Sequence, residues 1–212
     1  MSAQNRGSIL TALGLGVMCA VGLGTAGAQA LEGADLAAAL RMGGYVLVLR
    51  HADSPMQLPD QASADPANLK LERQLSPAGR DEARALGAAI KRLGIQVGAL
   101  QSSPAFRARQ TVGFVGLGAP LIVAQLDESA QSMAANAGTS RAQWLQNRAA
   151  QVPAAGTDDF IVTHMPNLMA AFDGLAAGIA PGEAMVFHPD GHGGRNLVAR
   201  IKIDEWATLP EH

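Results

Sequence analysis

Cysteine is almost missing from this chain: one residue in 212, Cys19, lies near the amino terminus. A single thiol excludes a disulfide framework and a cysteine-based zinc site. An excess of charge of one sign is missing too, with 16 basic against 18 acidic residues and a net charge of −2. That balance is too mild for a chain that grips nucleic acid. Long apolar runs are also absent. The longest candidate, Ile9 to Gly24, is short and glycine-rich for a membrane span.

That stretch has another use. It follows the lone basic residue Arg6 and ends in small residues at Ala28-Gln29-Ala30, the three-part layout of a secretory signal peptide. A lipoprotein site at Cys19 fits less well, because Met18 stands where a small residue is wanted. The expectation is a cleaved leader over 1–30 and one domain over 31–212, located in the periplasm or secreted, with no stable membrane span. Cys19 leaves with the leader, so thiolate chemistry is excluded from the mature chain. Loss of Arg6 shifts the net charge to about −3. About 180 residues of ordinary apolar content suffice for one conventional core.

Along that domain, apolar runs alternate with amphipathic ones. The strand candidates are Tyr45 to Arg50, Ala99 to Ser102, Leu121 to Gln125, Asp159 to Thr163, Ala184 to His188 and Asn196 to Ile203. The clearest helix runs from Ser76, an N-cap followed by Pro77, to a stop at Gly94, with Ala83, Leu86, Ile90 and Leu93 on one face. Further helices are expected over Asp35 to Met42, Ala105 to Val115, Arg141 to Gln151 and Asn167 to Ala177. Met165, Leu168, Met169 and Phe172 read as packing residues. This alternation predicts a three-layer α/β/α sandwich with a mostly parallel central sheet, closed by a hairpin of the last two strands. The stretch Ser54 to Leu75, with Pro55, Pro59 and Pro66 and no periodicity, reads as a long loop over the site.

The chemistry gathers at strand ends. Arg50-His51 terminates the buried run Tyr45 to Leu49, Ser103-Pro104 leads through Arg107 to Gln110-Thr111, and Val162-Thr163-His164 precedes a helix start at Met165-Pro166-Asn167. In a parallel sheet these ends share one crevice. Guanidinium forks suit phosphate oxygens, a neutral imidazole can attack phosphorus, and a second imidazole held protonated can bind a peripheral oxygen. Such a set needs no metal. The proton donor to a leaving group is expected at Glu128, with Asp127 as the substitute. Arg109 reads as a solvated neighbour. His188 and His192 invite a metal reading, but they lie in a Pro/Gly turn with no zinc spacing, so a hairpin turn near the active-site rim is expected instead. Gly113, Gly116 and Gly118 fall late in a helix and form no nucleotide fingerprint.

The ordered segments Leu49-Arg50-His51-Ala52, Leu75-Ser76-Pro77-Ala78-Gly79-Arg80, Ser103-Pro104 through Arg107 to Gln110-Thr111, and Val162-Thr163-His164 resemble the histidine phosphatase superfamily, which includes phosphoglycerate mutases and acid phosphatases. The resemblance implies that His51 becomes the phosphohistidine, that Arg50, Arg107 and His164 bind the phosphoryl group, that an acidic residue, here Glu128, gives the proton, and that no cofactor is needed. Ser54 matches a Ser/Thr position of the signature and is expected to bind substrate. Ala52 replaces the Gly of many members, and no Asn occurs between His51 and Asn68, which weakens a mutase assignment. The expected activity is hydrolysis of a small phosphate monoester, such as a sugar phosphate, a lipopolysaccharide fragment or a phosphohistidine, with specificity from Ser54 to Leu75 and Ser129 to Thr139. The alternatives are a noncatalytic phosphate-binding protein and a phosphomutase of the same fold.

Overall fold

The computed structural model describes residues 30–128 and 140–211. The expected leader and the segment Ser129 to Thr139 therefore lie outside the described residues. Five α-helices, α1 (Gly33–Met42), α2 (Pro77–Arg92), α3 (Phe106–Val115), α4 (Ser140–Ala149) and α5 (Met165–Phe172), surround a mixed sheet of six strands. These are β1 (Val46–Arg50), β2 (Val97–Ser102), β3 (Leu121–Ile122), β4 (Asp158–Thr163), β5 (Ala184–Pro189) and β6 (Arg195–Ile201). The order is β3-β2-β4-β1-β5-β6, parallel from β3 to β1 and antiparallel across β1/β5 and β5/β6.

The three layers follow from the alternation within β1. Leu47 and Leu49 join α1, α2, α3 and Trp206 in one core cluster, while Val46 and Val48 join α4 and α5 in the other. A strand apolar at every position is required when both faces are covered. Helix α2 begins as expected, with Ser76 Oγ accepting the Gly79 N–H at 3.0 Å. Its Gly87 lies against the Val115 carbonyl, where an added Cβ would overlap; only glycine allows α2 and α3 to approach this closely.

Several boundaries differ from expectation. β3 is confined to Leu121–Ile122, because the chain turns into a 3-10 turn at Ala124–Leu126 that carries the following acidic pair toward the sheet's carboxyl end. α5 starts two residues early, since Pro166 fits a first helical turn. It ends at Phe172, where Asp173 takes a positive φ of 45° and a 3-10 turn follows. The β5–β6 hairpin forms, but the register Val46↔Phe187 puts its turn beyond the start of β1. The His188–His192 turn therefore lies at the end of the sheet opposite His51, not near the active-site rim. His188 rests against the Tyr45 ring at 5.1 Å.

Candidate active site

The parallel arrangement brings the carboxyl ends of β1, β2 and β4 side by side, with Arg50 opposite Thr163 and Ser102 opposite Val162. The residue after each strand is buried: His51 after β1, Ser103 after β2 and His164 after β4. The His51 and His164 rings meet edge to face, 5.3 Å between centroids. Arg107, in the first turn of α3, reaches both. Its Nε donates to His51 Nε2 at 3.2 Å and its Nη2 approaches His164 Nδ1 at 3.0 Å.

Guanidinium groups cannot accept, so these contacts fix both tautomers. His51 Nε2 carries a lone pair, and its Nδ1–H donates to the Ala52 carbonyl at 2.8 Å. His164 accepts at Nδ1, and its Nε2–H donates to Ser103 Oγ at 2.7 Å. Burial pushes the His51 imidazole down to about 3; Arg107, Arg50 and Arg73 add to the shift, and the Ala52 carbonyl opposes it. Burial likewise drives His164 well below its ordinary value, aided by Arg107. Both imidazoles are neutral in the free protein. A fully buried ring beside a guanidinium sheds its proton, so the charge expected to help His164 hold a phosphoryl oxygen is not there before an anion binds.

Arg50 donates through Nη1 to the Ile179 carbonyl at 2.8 Å, while its Nε is buried without a partner among the described residues. An orphaned guanidinium N–H is costly unless an anion completes it. Glu128 enters from the other side. Its Oε2 accepts from Arg107 Nη2 and lies 3.9 Å from His164 Nδ1. Asp127, by contrast, acts on Arg107 only through its charge. The turn carrying both is held by Asn167, whose Nδ2 donates to the Leu126 and Asp127 carbonyls at 2.9 and 3.0 Å.

The segments flanking the cluster have evident tasks. Ser76 N–H donates to the Asp53 carbonyl, Ser76 Oγ donates to Asp53 Oδ2 at 2.6 Å, and a Cβ on Gly79 would strike the Asp53 backbone. The start of α2 therefore clamps the chain just after His51, and glycine is required for that contact. Thr111 completes the frame, accepting from the Ala52 N–H at 3.1 Å and donating to the Arg107 carbonyl at 2.9 Å.

One expected site residue is not brought in. Ser54 Oγ donates to the Gln74 carbonyl at 2.9 Å, so its hydroxyl braces the loop instead of facing the cluster. Arg73, missed in the sequence, stands in its place. It donates to the Ser54 and Pro55 carbonyls at 2.7 and 2.8 Å, and its charge acts on Arg50, His51, Arg107 and His164 alike. Arg109 is exposed and lies over the Phe106 ring, as a solvated neighbour should.

The family model described as histidine phosphatase superfamily (branch 1) matches residues 46–160. The chain belongs to the histidine phosphatase superfamily. No curated protein matches it. Among solved structures, the protein histidine phosphatase SixA complexed with tungstate is similar at 17% identity, 76% coverage of this chain, 98% of that one and a TM-score of 0.54. Phosphoserine phosphatase from Entamoeba histolytica, in complex with phosphoserine, is similar at 14% identity, with 75% and 97% coverage and a TM-score of 0.50. Open reading frame Rv3214 of Mycobacterium tuberculosis is similar at 16% identity, 80% and 99% coverage, and a TM-score of 0.50. At these identities the likeness is one of fold, and it spans nearly the whole of each of these three chains.

Proposed function

We propose that this chain is a metal-independent phosphate monoester hydrolase that works through a phosphohistidine on His51. The supporting observation is the state of His51: buried, neutral, with its Nε2 lone pair turned to Arg107 and its Nδ1–H held by Ala52. Arg50, Arg107 and His164 bind the peripheral phosphoryl oxygens, and Arg73 adds positive potential. The incoming phosphoryl group draws Arg107 off both partners, freeing the Nε2 lone pair and releasing the Glu128 carboxylate, which takes a proton from solvent; Nε2 then attacks phosphorus as the bond to the leaving oxygen breaks, and Glu128 passes its proton to that oxygen. Water then attacks the phosphohistidine, the Glu128 carboxylate takes its proton, and inorganic phosphate leaves. A dianionic phosphoryl group supplies the charge that makes a proton on His164 favourable, so His164 becomes cationic only with substrate bound. Export from the cytoplasm belongs to the same proposal and is supported by residues 1–30.

Rapid quench from a radioactive phosphate ester tests the reaction. The expected result is acid-sensitive, base-stable label on the parent and none on His51→Ala. Undiminished turnover by His51→Ala overturns it.

A further inference from the structure

A groove of about 420 Å³ is lined by Leu69, Lys70, Glu72, Phe106, Arg109 and Ile122 among others. Glu72 ties the groove to the chemistry, because its charge acts on Arg107. Phe106 precedes Arg107, and Ile122 pairs with Ser102, which precedes the Ser103 that holds His164. Its rim is built: Asn68, buried to 3%, brackets Glu72 by donating to its carbonyl at 2.7 Å and accepting its N–H at 2.9 Å.

The groove's polar groups are unequal. Glu72 is occupied, accepting the Phe106 N–H at 2.8 Å, and nearby Asp65 accepts from Ala67 N–H and Gln110 Nε2. Lys70 and Arg109 are exposed and make no hydrogen bond or ion pair with a carboxylate among the described residues. The same lining carries Leu69, 91% exposed, and Ile122, 45% exposed, both large apolar side chains left to water. Apolar walls with two cations against the one carboxylate of Glu72 leave a net positive charge, which complements a ligand with an apolar body and an anionic end.

We propose that this groove is the leaving-group subsite, and that the natural substrate is a phosphate monoester whose alcohol carries an apolar body and a second negative charge. The inference rests on the hydrolase reading above. Its test uses phenyl phosphate, 2-naphthyl phosphate and 6-carboxy-2-naphthyl phosphate, together with binding of 6-hydroxy-2-naphthoate followed by its fluorescence. The parent is expected to favour naphthyl over phenyl phosphate in kcat/KM by roughly tenfold, from burial of the second ring. The carboxylated ester gains about fivefold more from the two cations. Lys70→Ala combined with Arg109→Ala abolishes the carboxylate gain and weakens the naphthoate, Ile122→Asp abolishes the ring preference, and all variants keep phenyl phosphate turnover. Equal kcat/KM for the three esters, or naphthoate binding unaffected by these substitutions, overturns the groove while leaving the hydrolase standing. Naphthoate binding that weakens as stated, without hydrolysis of any ester, supports the groove and overturns the hydrolase.

Discussion

Glu128 occupies the place where a phosphoryl oxygen is expected, and Glu128→Gln separates its two tasks. In the free protein its carboxylate pairs with Arg107, whose side chain is 8% exposed against 30% for Glu128. Unit charges about 4 Å apart at an effective dielectric constant near 20 attract by about 4 kcal/mol. Partial exposure of the carboxylate and the retained amide hydrogen bond reduce the loss on neutralisation to roughly 1.5 kcal/mol, a factor of about ten in affinity for a competing anion. Tungstate titrated calorimetrically should therefore bind the variant about tenfold more tightly than the parent. Turnover moves the other way: an alkyl phosphate, whose leaving oxygen needs a proton, should lose about 10² to 10⁴ in kcat. 4-Nitrophenyl phosphate, whose leaving group departs as the anion, should lose far less. Unchanged or weaker tungstate binding refutes the competition, and equal losses on both esters refute the acid role.

Arg73→Ala should raise KM for any phosphate ester and weaken tungstate several-fold, because it removes a cation facing the whole cluster; an unchanged KM contradicts that placement. His51 and His164 stay neutral in the folded chain while their unfolded counterparts gain protons below about 6.5, so stability should fall as pH drops from there toward about 3. Urea midpoints should show that slope reduced in His51→Gln, and an equal slope would count against the shift. Asp158 acts in the opposite direction at the far end of the sheet. Burial raises its carboxyl to about 7, with Asp159 adding to the shift and the Tyr45 N–H opposing it, so the folded chain keeps a proton that the unfolded chain loses from about 4 upward. Its contribution to stability declines between about 4 and 7, and Asp158→Asn should gain on the parent across that window by on the order of 4 kcal/mol. A difference independent of pH would show that Asp158 ionises normally.

The sequence made the central layer legible because the run Val46 to Leu49 of β1 is apolar at every position and leads into Arg50-His51, two residues of unmistakable chemistry. Arg50, His51, Arg107 and His164 could be grouped because each follows a recognisable strand or helix start, and a parallel sheet leaves such ends one place to meet. Arg73 was not legible. It sits in a stretch without periodicity, where chain order does not tell which side chain turns inward, and the same ambiguity misplaced Ser54. Asn167 and Thr111 stood in recognised segments without an assigned task, because their partners are carbonyl and amide groups of other segments, which leave no mark in residue type. The neutrality of His164 depends on burial and on Arg107 lying beside it, both properties of the assembled core. The hairpin turn was misplaced because its two strands were recognised without the register that fixes which end of the sheet it occupies.

A crystal structure of the chain with bound tungstate tests the account most directly. It should show one tetrahedral anion among Arg50, Arg107 and His164, in line with His51 Nε2, with Glu128 displaced from Arg107. An anion bound elsewhere, with the Arg107–Glu128 pair intact, would contradict it.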